Sequence, residues 1–301
     1  MLHDFTSPCM PRLSLLVCAF LLPIFAQAAQ YTPAVAEWNR PVDPFRVVGN
    51  VYYVGASGVS SYLISTSEGL ILVDCGFSET VPLIEANITK LGFRLEDLHL
   101  LLISHGHYDH VGGMAELQRR THARLLANPA EFALLKRGGL GDFAFQDRYA
   151  FPPVTPDGEI KDGEQVRLGD TALTAHFTPG HTKGSTTWSL DVRDEGRVLH
   201  VVISASLTAP GYRLINNSLY PEIMEDFGKS FSLLRNLPCD VFLTLHGWDF
   251  DLDAKRRLLG KTAGANPFID AAALTKFADK SETALQRQHA QQRAAAKPRK
   301  E

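Results

Sequence analysis

Residues 105–113 read His-Gly-His-Tyr-Asp-His-Val-Gly-Gly, which gathers three histidines and an aspartate within six positions. Given 11 histidines and 19 aspartates in the chain, these types at these fixed positions arise by chance in roughly one such chain in a thousand. The spacing has a physical meaning. His105 and His107 leave an extended backbone on the same side, so both imidazoles can reach one metal ion. Asp109 and His110 fall where the chain turns toward a helix, so they can point at a second position nearby, and Gly112 and Gly113 permit that tight entry. Three histidines and one aspartate do not complete two zinc sites, so further ligands must come from elsewhere. Two candidates stand out. His181 lies in TPGHTKGS at the end of an apolar strand, and His246 follows DVFLTL and precedes Gly247. Both sit at strand-to-loop junctions, as the first cluster does. His99, His122, His176, His200 and His289 read as ordinary surface or core residues.

The elements that must position these side chains follow from periodicity. VVGNVYYVG, SSYLISTS and GLILVD, between Val47 and Asp74, alternate or run apolar between glycines and serines, as successive antiparallel strands do. Glu79 to Leu91 has helical spacing and stops at Gly92. LHLLLIS, residues 98–104, is the continuous apolar run of a strand buried on both faces. A helix over 112–122 and a strand over 123–127 come next. Residues 136–157, with several glycines, aromatics and prolines, read as a long surface loop that shapes a cleft. Strands are expected at 165–168, 171–178, 185–192, 197–204 and 240–245, with helices near 222–236 and 270–294. The pattern fits an α+β chain of two packed sheets covered by helices on their outer faces.

The chain has 301 residues, 45% hydrophobic and 21% charged, which excludes collagen-like, disordered and disulfide-scaffold classes. The net charge of −3 offers no footprint for nucleic acid or for an anionic membrane surface. Arg12, the apolar run Leu13 to Phe25 and the small-x-small sequence Ala26-Gln27-Ala28 form a secretory signal peptide over residues 1–28, with cleavage expected after Ala28. Translation could equally begin at Met10. The apolar run is short of the roughly 20 residues that span a bilayer, and a lipoprotein reading through Cys18 has little support. Residues 29–301 then form one domain with a C-terminal helix and a frayed KPRKE tail, expected in the periplasm as a monomer. Cys75 and Cys239 remain in that segment, and they either pair or stay free.

With these residues in view, HxHxDH followed by histidines at strand ends resembles the metallo-β-lactamase superfamily. Trp38 with PVDPFRVVGNVYYVG, SHGHYDHVGG, TAHFTPGHTKGST, SLTAPGY and LPCDVFLTLHG resemble class B β-lactamases of the third subclass. The resemblance implies a four-layer αββα sandwich of two mixed sheets. It also implies two zinc ions, the first on His105, His107 and His181 and the second on Asp109, His110 and His246. The activity so implied is hydrolysis of the β-lactam amide, with a bridging hydroxide as nucleophile, oriented by Asp109. Tyr212 would donate to the oxyanion, and Ser206 with Thr208 would hold the carboxylate of the drug. Ser206 falls where many superfamily hydrolases carry a bridging aspartate and other subclasses a cysteine, so the second zinc depends on His110.

Two departures accompany the resemblance. Relatives often have an aspartate where this chain has Ala205, which removes one hydrogen bond supporting a ligand. Some relatives form a disulfide from the position of Cys239, but no cysteine lies near residue 274, so Cys239 is expected as a buried free thiol with Cys75 the alternative partner. The competing functions are a hydrolase of thioesters or lactones, such as a hydroxyacylglutathione hydrolase, and a zinc-binding module without catalysis.

Overall fold

The computed structural model describes residues 33–261 and 266–296, with Met1. The expected signal peptide, Met1 aside, and the KPRKE tail lie outside the described residues.

The first sheet takes its seven strands in chain order: β1 (Phe45–Val48), β2 (Val51–Tyr53), β3 (Tyr62–Thr66), β4 (Gly69–Val73), β5 (Leu98–Leu102), β6 (Arg124–Ala127) and β7 (Gly158–Glu159). Neighbours from β1 to β4 are antiparallel, and those from β4 to β7 are parallel. The second sheet contains β8 (Gln165–Leu168), β9 (Thr171–Phe177), β10 (Thr186–Asp194), β11 (Arg197–Ser204) and β12 (Val241–Thr244), in the order β12-β11-β10-β9-β8. It too is mixed, because β12 joins β11 in parallel while the others alternate.

Parallel neighbours need a crossover, and the helices supply it. A short α1 (Pro33–Trp38) precedes the sheets; α2 (Val81–Lys90) links β4 to β5, and α3 (Tyr108–Val111) with α4 (Met114–Thr121) links β5 to β6. Next, α5 (Phe132–Lys136) follows β6, α6 (Ile223–Asn236) links β11 to β12, and α7 (Leu252–Leu258) and α8 (Ala273–Ala295) close the chain.

Strand alternation divides the core. Leu63, Leu70, Leu72, Leu98 and Leu101 turn outward onto Val81, Ile84 and Ile88 of α2 and Met114 and Leu117 of α4. Tyr62, Ile64, Ile71, Val73, Leu100 and Leu102 turn inward onto Leu173, Ala175, Trp188, Leu190, Val201 and Ile203 of the second sheet. On the far side of that sheet Phe242 meets Phe277 of α8 with ring centroids 5.0 Å apart. The result is the αββα sandwich, and the apolar run Leu100–Ile103 follows from burial on both faces, while His99 at the start of β5 is exposed rather than enclosed.

Some expectations need correction. The run VVGNVYYVG divides into two strands at Gly49, whose φ of +49° makes the tight turn. The segment 136–157 is less superficial than a surface loop, because Phe151 and Val154 are buried in the outer core. Helices α1, α5 and α7 and the two-residue β7 carry too little periodic pattern to be read from sequence. Among the described residues, Cys75 and Cys239 are free; Cys75 is buried, but Cys239, just before β12, is half-buried rather than fully enclosed. Among the described residues no helix is long and apolar enough to cross a membrane.

Candidate metal centre

Strands β4, β5 and β6 run in one direction, and β9, β11 and β12 share one direction in the second sheet. Their carboxyl ends therefore deliver loops to one edge of the sandwich. Two cross-sheet bonds fix the sheets beneath that edge: the Thr186 N–H donates to the Ser104 carbonyl at 2.7 Å, and Trp188 Nε1–H donates to the Ile103 carbonyl at 3.0 Å.

From β5 the chain leads through Ser104 to His105 and His107, then enters α3, which carries Asp109 and His110. The loop after β9 brings His181, and the chain after β12 brings His246. The structure brings the six together in two triads, His105 with His107 and His181, and Asp109 with His110 and His246; within each, the donor atoms lie within 4.8 Å of one another. The triads adjoin, since the rings of His105 and His110 have centroids 4.5 Å apart.

Hydrogen bonds behind the rings fix which nitrogen faces inward. His181 Nδ1–H donates to the Thr208 carbonyl at 2.7 Å, and His246 Nδ1–H donates to the Gly58 carbonyl at 3.0 Å. A carbonyl only accepts, so the lone pairs of both rings sit on Nε2. The Ser104 hydroxyl donates to Asp74 Oδ2 at 2.6 Å, which leaves its oxygen to accept from His105 Nδ1–H at 3.0 Å. His105 Nε2 is thus also a free base. His107 is turned the other way: its Nδ1 faces His105 Nε2 and His181 Nε2, each at 3.1 Å, while Nε2 faces Asp142 Oδ2 at 3.5 Å.

This donor set fits zinc. Ligand nitrogens about 2.0–2.1 Å from a tetrahedral zinc lie about 3.3 Å from one another, close to the separations in the first triad. In the second triad His110 Nε2 is 3.4 Å from Asp109 Oδ2 and His110 Nδ1 is 3.5 Å from Asp74 Oδ2. Two carboxylates facing one buried ring favour positive charge there, whether on a proton or on a cation shared with His246.

The electrostatics agree. Burial first, then neighbouring imidazoles, holds His105 well below its ordinary value and His181 at about 3. Burial and His110 bring His246 down to about 4. Three rings are therefore neutral bases at neutral pH, the form a metal needs. Burial opposes charge on both Asp109 and His110, yet each stabilises the other, so the Asp109 carboxyl lies below the carboxylate range and His110 rises to about 10.

The residues expected to meet substrate lie beside the first triad. Ser206 Oγ is 3.0 Å from Thr208 Oγ1, with Ser206 buried and Thr208 exposed. Tyr212 is buried, and its hydroxyl lies 3.4 Å from His181 Nδ1, on the ring edge away from the triad. Phe143 and Phe145 pack against its ring.

Sequence reasoning missed Asp74, Ser104 and Asp142. Asp74 ends a buried apolar strand and is itself fully buried, with φ +57°; an acidic residue at the carboxyl end of such a strand was the available signal. Asp142 stands in the cleft-shaping segment and is anchored by N–H bonds from Ala144 and Phe145 at 2.8 and 2.7 Å. Ala205 is buried and donates its N–H to Thr187; the carboxylate behind the second triad comes instead from Asp74.

Comparison with known proteins gives a consistent answer. A metallo-beta-lactamase of Cronobacter sakazakii is 40% identical, covering 87% of this chain and 99% of its own, with a TM-score of 0.83. The subclass B3 metallo-beta-lactamase of Bradyrhizobium japonicum is 37% identical over 88% of this chain and 100% of its own, with a TM-score of 0.82. The native metallo-beta-lactamase of Legionella gormanii is 39% identical over 85% and 98%, also with a TM-score of 0.82. Among curated proteins, a hydroxyacylglutathione hydrolase of Rhodopseudomonas palustris is 30% identical over 165 residues, 55% of this chain and 52% of its own. The chain spans about half the length of that relative. Residues 54–246 match the metallo-beta-lactamase superfamily, and because that stretch contains every strand from β3 to β12 and both triads, the chain belongs to this superfamily as a metallo-hydrolase of the β-lactamase type.

Proposed function

We propose that the chain hydrolyses the amide bond of β-lactam antibiotics and so confers resistance to them, with one zinc ion on His105, His107 and His181 and another on Asp109, His110 and His246. The observation that carries this reading is the convergence of the two triads side by side at one edge of the sandwich, in a chain 37% and 40% identical to solved metallo-beta-lactamases over most of its length. Zinc supplies Lewis-acid polarisation and brings water to a pKa of about 7, so no protein base is needed.

The chain's own residues do the rest. The carbonyls of Thr208 and Gly58 and the hydroxyl of Ser104 hold His181, His246 and His105 with Nε2 unprotonated. Asp109, kept ionised beside His110 and His246, orients the attacking water by accepting one of its hydrogens. The hydroxyls of buried Ser206 and exposed Thr208, 3.0 Å apart beside the first triad, hold the carboxylate of the drug. Tyr212, expected by resemblance as the oxyanion donor, has its hydroxyl against His181, and we assign it a share in orienting that ring. The segment from Arg12 to Ala28 supports delivery to the periplasm, where drugs directed at the cell wall act.

Ser206 favours a lactam over a thioester, since it stands where the resemblance puts a bridging aspartate in many other hydrolases of this fold. The test is a parallel assay with nitrocefin, a carbapenem and a glutathione thioester. Lactam turnover that chelator abolishes and zinc restores is expected. Thioester turnover alone would move the assignment to the hydroxyacylglutathione hydrolase type, and no turnover by zinc-replete protein would leave a binding module.

A further inference from the structure

Glu131 is an acidic residue almost wholly enclosed, 1% exposed, and it touches none of the six triad side chains by hydrogen bond. Its partners are the loops that carry them. Oε2 accepts the Gly106 N–H, between His105 and His107, at 3.0 Å. Oε1 accepts the Thr182 hydroxyl at 2.6 Å and the Gly184 N–H at 2.7 Å, directly after His181. Gly106 follows a strand of the first sheet, and Thr182 and Gly184 follow a strand of the second. The carboxylate itself stands on a third element, a turn of 3-10 helix after β6 in which Asn128 Oδ1 accepts the Ala130 N–H at 3.0 Å.

The two glycines carry the same message independently. A Cβ on Gly106 would lie 2.6 Å from Glu131 Oε2, and a Cβ on Gly184 would lie 2.6 Å from Glu131 Cγ. Neither glycine has a positive φ, so backbone conformation does not demand glycine at either position. Room for this one side chain does. Both loops press their bare backbone onto a single carboxylate, which leaves three charge-assisted donors no freedom to drift apart.

We propose that Glu131 is a positioning residue that brackets the loops of His105, His107 and His181 across the gap between the two sheets, so that the first triad is preformed before metal arrives. This rests on the reading of that triad as a zinc site. The bracket serves the first triad and not the second, because Asp109, His110 and His246 lie outside the loops it holds.

The experiment uses the full chain, metal-free and then titrated with zinc against a competing chelator, for wild type, Glu131→Gln and Glu131→Ala. The Gln amide oxygen can keep Thr182 and Gly184, but its NH2 then confronts the Gly106 N–H, so this mild variant still opens one side. We expect zinc affinity at one of two sites to fall about 10- to 100-fold, the other site to stay within about twofold, and amide exchange at Gly106 in metal-free protein to accelerate. Gly184→Ala alone should weaken the same site, and should add little in the Glu131→Ala background, where its methyl group has room. Unchanged affinity at both sites in both Glu131 variants, an equal fall at both sites, or a Gly184→Ala effect that is the same in either background would overturn the proposal. If wild-type protein takes up no zinc, the metal-centre reading fails; Gly106 exchange and the Gly184→Ala cycle, read then by thermal midpoint, still decide whether the bracket exists.

Discussion

Asp74 Oδ2 lies 3.5 Å from Nδ1 of His110, and the same oxygen takes the Ser104 hydroxyl that in turn accepts from His105. One carboxylate thus governs two imidazoles that belong to different triads. Asp74→Asn keeps the volume and tolerates φ +57°, yet it exchanges an acceptor for a donor behind one ring. Zinc affinity at both sites should fall about 10- to 100-fold. Chelator competition measures it, and wild-type affinity at both sites would remove this role from Asp74.

Asp109 makes its polar contacts with His110 and His246 and holds no part of the sheet framework. Asp109→Ala should therefore leave far-UV circular dichroism unchanged, reduce bound zinc from about two equivalents toward one, and lower kcat by roughly two orders of magnitude or more. Near-normal turnover in a folded variant would contradict its place in the second triad.

The buried rings set a pH dependence of two limbs. His181 at about 3, His246 at about 4 and His105, also lowered, have folded values below their ordinary 6.5. Their contribution to stability is fully present above 6.5 and is lost as pH falls toward the folded values. His110, raised to about 10, works in the opposite sense: its contribution is present below 6.5 and is lost as pH climbs through 10. Metal-free protein should therefore show its highest thermal midpoint near neutral pH, with a steeper fall on the acid side. A midpoint that rises steadily from about pH 7 to about pH 5 would be incompatible with neutral buried rings. Turnover of the zinc-loaded protein should decline over the same acid range, because protons compete with metal for these nitrogens.

Trp188 is fully buried between the sheets and bonds to the Ile103 carbonyl two residues before His105. Trp188→Phe removes that donor and should cost about 1–3 kcal/mol; Trp188→Ala adds a cavity and should cost about 3–5 kcal/mol. Urea unfolding measures both. Equal stabilities for the two variants would mean that the space closes without loss.

Much of this was legible in the linear chain. The HxHxDH spacing, the isolated His181 and His246 at strand ends, and the apolar runs of β3, β4 and β5 are local patterns, and local patterns are what period and spacing encode. Helices α2, α6 and α8 were readable for the same reason, because they extend over enough turns to show a face. Short α5 and α7 were not, and neither was the burial of Phe151 and Val154, since those depend on what the remainder of the chain packs against them.

The sequence by itself determined which side chains could act as donors and that they stand where strands end. Only the tertiary structure decided which nitrogen each ring turns inward, because that is set by partners far away in the chain: Gly58 for His246, Thr208 for His181, and Asp74 through Ser104 for His105. It also decided that Glu131 and Asp142 reach the site and that the Tyr212 hydroxyl faces His181. Spacing reports only the direction in which a backbone presents a side chain; the orientation of a planar ring about its own bonds is fixed by hydrogen-bond partners, and those partners exist only once two sheets have met.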